Sequence, residues 1–229
     1  SIIEELNYGD LELETNSSIR IAQMMIGLGL IENIAEENIL KLEDVDDTDG
    51  DGISGKANYS WDLQDNKFKL GRFGWKASQP TVLQQTADAF YHDMGLSNKL
   101  YPDESNCTES QVDCNKSVSG NSEIYDNFEV SNDQLDLVTF YSSQLGVPAA
   151  RNQKKPDVIA GKKIFYEVGC NSCHIEKHVT RSDGPFKNLN NQVIYPYSDF
   201  LLHNMGDGLS DGVPEFLAEG NEWRTPPLW

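Results

Sequence analysis

Two cysteines and a histidine stand together in the short run Cys170-Asn171-Ser172-Cys173-His174, which has the pattern C-x-x-C-H. In a c-type haem, two cysteine sulfurs form thioether bonds with the vinyl groups of the ring, and the histidine that follows them ligates the iron. Two residues between the cysteines suit the separation of the vinyl groups. The run therefore predicts a covalent haem site that uses Cys170, Cys173 and His174.

Other sites share parts of this pattern. A thioredoxin-like C-x-x-C belongs to a βαβ unit, which the sequence does not show. A zinc site needs further ligands, and the histidines outside the motif are scattered: His92, His178 and His203. A chance occurrence is the remaining alternative. Gly161 and Phe165 precede the motif at a spacing typical of the helix that leads into a c-type haem site, which favours haem.

Four residues are candidates for the second axial ligand of the iron. Met205 and His203 follow the motif in FLLHNMG, and Met94 and His92 lie in YHDMG. Histidine and methionine together raise the reduction potential and suit electron transfer, whereas an open position suits peroxide activation. The alternative for either methionine is a place in the core. His178 is expected to be a surface side chain.

An acidic, glycine-rich run, DTDGDG, begins at Asp47 and resembles the start of an EF-hand calcium loop. Asp47, Asp49 and Asp51 take the first, third and fifth positions, and such closely spaced oxygen ligands suit Ca²⁺. The twelfth position holds Asn58, where a bidentate glutamate is expected. The run predicts a calcium site formed by the three aspartates, with a solvated acidic loop as the alternative.

The other two cysteines, Cys107 and Cys114, lie in a polar run that reads as a loop. Six residues between them suit a disulfide that closes this loop, which would place the protein in an oxidising compartment. Two unrelated loop thiols are the alternative.

Composition narrows the classes of function. The chain has 229 residues and a formal net charge of −19, which argues against a general nucleic-acid binder. No apolar run reaches the roughly 18 residues that a membrane span needs. Between Arg151 and Lys187, however, eight bases face four acids. This local positive charge predicts a docking patch for an acidic redox partner or counter-charge for haem propionates, with a solvated helix face as the alternative.

Helical patterns dominate the chain. Apolar spacing predicts helices over Ile19–Leu30 and Ala35–Leu42, and others that begin at Pro80, at a capping box on Ser131 and at Pro156. A short helix is expected at Ser198–Asn204. Clear alternating strands are lacking, so the predicted class is mainly α with long irregular loops. A linker, VPAARNQKKPD, separates predicted domains at 1–150 and 156–229.

Several stretches together resemble the bacterial di-haem oxidoreductases, also called thiol oxidoreductases and related to di-haem cytochrome c peroxidases. They are GLGLIENI, DTDGDGISGKAN, GRFGWKA, ADAFYHDMGLS, LGVPAARN, GKKIFYEVGCNSCH, YPYSDFLLHNMGDGLSDG and EWRTPPLW. Their number and order make the likeness specific. Members of that family are exported, carry two c-type haems and fold as two mostly helical, cytochrome c-like domains.

The resemblance implies roles for single residues. Cys170, Cys173 and His174 match the second haem motif of the family, and Met205 matches the methionine of its H-x-M-G segment. Trp75 would lie between the haems as an electron path, or be a core tryptophan, and Arg224 would reach a haem propionate. The family's first C-x-x-C-H lies upstream of Ser1 and its second domain continues past Trp229, so the chain is expected to be an internal fragment with two partial domains.

Three functions follow from these observations. The first is an exported, periplasmic di-haem enzyme of peroxidase type, which would receive electrons from a small electron-transfer protein and act on a small oxidant or a thiol. Glu123 and Glu129 are weak candidates for its acid–base group. The second is an electron-transfer cytochrome without catalysis. The third is a calcium-stabilised secreted module without haem.

Overall fold

The protein is described by a computed structural model, which describes residues 9, 11, 14–103 and 107–229. Residues 1–8 of the predicted first domain lie outside the described part of the chain. The structure is 29% helical and 14% strand, with three short sheets, so the prediction of a mainly α fold is wrong.

Six α-helices are present in the described ranges: α1 (Leu28–Glu32), α2 (Glu36–Leu40), α3 (Val82–Asp88), α4 (Val112–Asn115), α5 (Asn132–Gln144) and α6 (Pro156–Glu167). The helices predicted near Ala35, Pro80, Ser131 and Pro156 are confirmed. A π-helix, Ala89–Asp93, continues α3 directly. The capping box forms as predicted, because the Ser131 hydroxyl accepts from Gln134 N–H and the Gln134 side chain accepts from Ser131 N–H.

The helix predicted from Ile19 begins only at Leu28. Gly27 stands before it with φ 73°, a left-handed conformation that ends regular structure and suits glycine. Ile19 and Ile21 are 81% and 83% exposed, so their apolar spacing does not mark a core face. This part of the prediction is wrong.

Three two-stranded antiparallel sheets replace the expected irregular segments: β1 (Tyr59–Asp62) with β2 (Lys67–Leu70), β3 (His178–Val179) with β4 (Val193–Ile194), and β5 (Leu202–Asn204) with β6 (Glu222–Arg224). Two to four residues are too few for an alternating pattern to stand out. The helix predicted over Ser198–Asn204 is wrong, because Phe200 adopts φ 62° and the chain then enters β5.

The main core draws on both predicted domains. Ile34, Ile39 and Phe73 pack in one buried cluster with Phe200 and Leu201. The division of the chain near residues 150–156 stays a prediction, but the segments before and after it share this core. Among the described helices, none combines the length and hydropathy that a membrane crossing requires.

Candidate functional site

A cavity of about 570 Å³ lies beside the C-x-x-C-H run. Cofactor and ligand sites typically enclose about 300–1,000 Å³ and are mostly apolar. The apolar walls of this cavity come from the N-terminal segment, from two tryptophans and from Leu209 and Pro226. The predicted site residues on its wall are Cys170, Cys173, His174, Met205, Arg224 and Trp75. Residues far apart in sequence therefore meet around one space.

The predicted attachment run, Cys170–His174, follows α6 through a tight turn. Gly169 has φ 84°, which turns the chain out of the helix, and Cys170–Ser172 form a single 3-10 turn. His174 N–H then donates to the Cys170 carbonyl at 3.0 Å. Both cysteines are free thiols, with Cys170 exposed and Cys173 half-buried. The two sulfurs are therefore chemically available for thioether bonds.

His174 is oriented by the backbone of a neighbouring segment. Its Nδ1 lies 2.6 Å from the Tyr197 carbonyl, so Nδ1 carries the proton and donates. This leaves Nε2 as the nitrogen with a free lone pair. A carbonyl on the far nitrogen is the usual partner of a metal-binding histidine, because it fixes the tautomer and the ring. Tyr197 holds its carbonyl there with φ 52°, and such strain in a residue other than glycine is common at functional sites.

Of the candidate axial ligands, Met205 alone combines a place on the cavity wall with a free donor atom. His203 also lines the cavity, but Nδ1 donates to the Ser54 carbonyl at 2.9 Å and Nε2 to Asp199 Oδ2 at 2.8 Å. Neither nitrogen is free for iron in this arrangement. Met94 is 62% exposed and lies outside this wall, and His92 lines a different cavity.

His203 and Asp199 form a buried pair. Burial alone acts to lower the pKa of His203, but the hydrogen bonds with Asp199 and Cys173 outweigh it and raise the pKa to about 10. The imidazole therefore carries a proton on both nitrogens at neutral pH. His178 is buried as well, at 6% exposure, so the expectation of a surface side chain is wrong. Burial lowers the pKa of His178.

Arg224 supplies a buried positive charge that forms no direct ion pair among the described residues, although the nearby Asp199 acts to raise its pKa. Its guanidinium donates to the carbonyls of Gly74 and Thr225 and to Gln23 Oε1. Burial lowers its pKa to about 10, so it stays charged at neutral pH. These three bonds use three of its five N–H donors. A buried cation with donors to spare suits an anionic group such as a haem propionate.

Two tryptophans on the wall pack edge to face. The rings of Trp75 and Trp223 have centroids 6.3 Å apart, and Trp75 Nε1 donates to the Ile21 carbonyl. The Lys76 ammonium lies 4.0 Å from the centroid of Trp223, and Arg20 lies 5.2 Å from it. The sequence offered a signal for Trp223 and Lys76, since EWRTPPLW and GRFGWKA were among the matching stretches, but none of these stretches contains Arg20.

The acidic loop brings together a slightly different set of aspartates from the predicted one. Carboxylate oxygens of Asp44, Asp47 and Asp49 lie within 4.8 Å of one another. Asp51 Oδ1 accepts from Ile53 N–H instead, and Asn58 is buried, with its amide bonded to the carbonyls of Lys76 and Glu215. Calcium binding here stays a prediction, with Asp44 as the ligand that the EF-hand pattern missed.

The remaining predicted residues lie away from the cavity. Cys107 and Cys114 are joined in a disulfide with Cα atoms 6.0 Å apart. Glu123 is exposed in a short 3-10 turn, and Glu129 accepts from Ser97 N–H. Neither glutamate is among the residues that line the cavity.

Comparisons with known proteins give one match. A family model described as "Di-haem oxidoreductase, putative peroxidase" matches residues 5–229 of the chain. No curated protein and no solved structure matches it.

Proposed function

This chain belongs to the di-haem oxidoreductase family, and on that premise we propose that it binds a c-type haem covalently through Cys170 and Cys173. The observation that supports this most directly is the position of the free thiols and of His174. All three lie on the wall of a cavity of about 570 Å³, and His174 has its far nitrogen fixed by a carbonyl. This donor set suits a c-type haem.

The side chains around the cavity have separate roles in this proposal. His174 Nε2 would ligate the haem iron, and Met205 would supply a second ligand from the cavity wall. Arg224 would neutralise a propionate, because its charge is buried and forms no direct ion pair in the described ranges. The apolar wall, which includes Ile21 and Trp223, keeps water away from the ring. When bound, haem supplies one-electron chemistry at its iron.

We propose a peroxidase-type oxidoreductase that is exported and works in the periplasm. The family description supports the reaction class, and the disulfide Cys107–Cys114 is typical of oxidising compartments. Neither Glu123 nor Glu129 lines the cavity, so neither is placed to act as the acid–base group for O–O cleavage there. The second candidate function is electron transfer without catalysis, which the place of Met205 on the wall favours, because a second ligand closes the iron to substrate.

The proposed partner is a small acidic electron-transfer protein. Five bases between Arg151 and Lys187 are exposed and have no ion pair within the described residues: Arg151, Lys154, Lys155, Lys177 and Lys187. The others in the run pair with Glu176, Glu167 and Asp183. A patch of unpaired bases speeds association with a partner of opposite charge, and salt weakens it.

The test is a haem count on the chain produced with a c-type maturation system. The pyridine haemochrome spectrum per mole of chain is expected to show covalent haem, and a variant with Cys170→Ala and Cys173→Ala is expected to lose it. The matched control, Cys107→Ala with Cys114→Ala, should keep its haem, since this pair lies away from the cavity.

Three results of this test discriminate between the candidates. High-spin signal together with peroxide turnover supports the enzyme. Low-spin haem in both redox states without turnover supports the electron carrier. A chain without a visible absorption band contradicts haem binding and leaves the calcium-stabilised secreted module.

A further inference from the structure

His203 joins three segments that are distant in sequence. Its side chain is 8% exposed and lies in β5, two residues before Met205. One imidazole nitrogen, Nδ1, lies 2.9 Å from the Ser54 carbonyl and 3.6 Å from Cys173 Sγ. The other, Nε2, lies 2.8 Å from Asp199 Oδ2. The His203 ring therefore contacts Ser54 at the end of the acidic loop, Asp199 shortly before β5, and Cys173 of the C-x-x-C-H run.

The acidic loop is closed next to this ring. Asp44 and Gly55 exchange two backbone hydrogen bonds of 3.0 Å at its base, and Lys56 pairs with Leu202 in the same way at 3.0 and 2.8 Å. The backbone at Gly55 runs close to the imidazole, because a Cβ built there would lie 3.0 Å from His203 Cε1. The loop base and β5 are thus fixed to each other by backbone bonds and by the ring.

The attachment run is fixed to the same ring from the other side. Asp199, which accepts from His203, donates its own N–H to the Cys173 carbonyl at 3.0 Å. Ser198 N–H donates to the Ile175 carbonyl at 2.9 Å. The distance between Cys173 and β5 is therefore set by a short path through Asp199 and His203.

Met205 depends on this arrangement because little else holds it. Met205 is 49% exposed, and its backbone N–H donates to the Asn221 carbonyl at 2.9 Å. The thioether sulfur of Cys173 would fix one edge of the haem, and β5 fixes Met205. The ring of His203 is the side chain that spans these two points.

We propose that His203 is a positioning residue: it holds the acidic loop, Cys173 and β5 in register, and so keeps Met205 at bonding distance from the haem iron. The proposal rests on the haem site proposed above, with His174 and Met205 as axial ligands. In this proposal Met205 ligates the iron, whereas His203 sets the geometry and does not itself bind iron.

The test compares His203→Gln with His178→Gln in the haem-loaded chain. A glutamine reaches one of the two partners of His203 but not both, so β5 is expected to shift relative to Cys173. His178 is a fair control because it is equally buried and bonds to the Ser198 carbonyl at 2.8 Å, yet touches neither cysteine. The readouts are haem content, the charge-transfer band of methionine-bound ferric haem and the reduction potential.

The expected result separates ligation from folding. His203→Gln keeps its haem content but loses the methionine band, gains high-spin signal and has a lower reduction potential, because methionine ligation raises the potential. His178→Gln keeps the band and the potential of the unaltered chain. If His203→Gln does not accumulate, Gly55→Ala decides the matter, because its new Cβ pushes the ring from the loop side and should weaken the same band.

Three outcomes contradict the proposal, and each is distinct from failure of haem binding. The first is an unchanged methionine band and reduction potential in His203→Gln, or in Gly55→Ala where that variant is needed. The second is an equal loss of the band in His178→Gln. The third is an unaltered chain that binds haem without a methionine band. An unaltered chain without any haem instead contradicts the proposed function, and this inference with it.

Discussion

The two sides of the cavity are held in different ways. On one side, β5, β6 and the segment 72–77 bury charged groups that are bonded to several partners, among them Lys76, Arg224 and the His203–Asp199 pair. On the other side, α6 leads into the attachment run and has no buried residue along its 12 residues. One side is built from buried groups that are bonded to several partners, and the other has little to pack against in the described part of the chain.

This difference indicates how each wall is stabilised. Helices in globular proteins gain most of their stability from packing an apolar face, and Val158, Ile159 and Ile164 of α6 are 41%, 59% and 56% exposed. The Glu176 side chain ties α6 to the following run through Lys162 and Tyr166. Such exposed ion pairs and hydrogen bonds contribute little to the stability of the folded state. We expect α6 to depend on haem for its order, and the strand side not to.

Hydrogen exchange should show the largest contrast. Backbone amides of β5 and β6 are expected to exchange close to the rate set by global unfolding, whereas amides in the second half of α6 exchange through local opening. We expect protection free energies that differ by about 3 kcal/mol or more in the haem-free chain. Native-state exchange read by mass spectrometry measures this, and equal protection of both walls would break the comparison.

Two lysines, Lys76 in the segment 72–77 and Lys163 in α6, should differ strongly in the effect of their replacement by methionine. Lys76→Met leaves the carbonyls of Glu219, Gly220 and Glu222 without their donor and should cost about 3–5 kcal/mol of unfolding free energy. Lys163→Met in α6 should change it by less than about 0.5 kcal/mol, since that side chain is 76% exposed. Urea denaturation measures both, and similar losses would contradict the contrast.

Two carboxylates, Asp211 on the strand side and Glu176 beside α6, should differ in how much they stabilise the protein as the pH falls. Burial acts to raise the pKa of Asp211, but hydrogen bonds from Val213 N–H, Ser18 and Arg20 outweigh it, so the pKa lies below its usual range. Lys162 and Tyr166 lower the pKa of Glu176. A carboxyl group whose pKa is lower in the folded state stabilises the folded state at pH values above its unfolded pKa, which is about 4. This stabilisation is lost as the pH falls through the folded-state pKa.

The acid prediction follows from comparing variants at two pH values. Asp211→Asn should lower the unfolding free energy by about 2 kcal/mol at pH 6 and by much less near pH 2. Glu176→Gln should have a smaller effect at either pH, because that side chain is more exposed and its ion pair is screened. An Asp211→Asn loss that does not shrink in acid would show that packing, and not charge, holds this wall.

Calcium should give the smallest change in unfolding free energy, and this change should come from the acidic loop. If the acidic loop binds it, Ca²⁺ at ten times its dissociation constant adds about 1.4 kcal/mol to the unfolding free energy. Asp47→Asn with Asp49→Asn should abolish this, and Asp136→Asn, an exposed control that pairs with Lys99, should not. Thermal unfolding with and without Ca²⁺ measures it. Equal stabilisation of the double variant would contradict the site.

The place of the C-x-x-C-H run after a helix and the longer helices could be predicted from the sequence, because their signals are local. C-x-x-C-H places three groups within five residues, and Pro156 and the Ser131 capping box mark helix starts directly. The EF-hand pattern named Asp47, Asp49 and Asp51, whereas the folded loop brings Asp44, Asp47 and Asp49 together, since the register of an EF-hand does not describe this turn.

The parts that the sequence did not reveal depend on distant partners. β5 and β6 are three residues each, and their pairing joins residues about twenty positions apart, so no alternating pattern announces them. A signal did exist for β1 and β2, because Asp62 Oδ1 accepts from Gln64 and Asp65 N–H, a turn that aspartate favours. The double bonding of His203 involves Ser54 and Asp199, which only the folded chain brings together.

The surroundings of Lys76 resemble the shell of a bound alkali ion. Three carbonyl oxygens at 2.8–3.0 Å, one carboxylate oxygen of Asp211 at 3.3 Å and the face of Trp223 surround its ammonium group. Because this cation is part of the chain, its local concentration does not vary with the medium. The shape of the cavity around Trp223 should therefore be insensitive to the salt composition outside, whereas the occupancy of the calcium site predicted in the acidic loop should depend on the Ca²⁺ concentration.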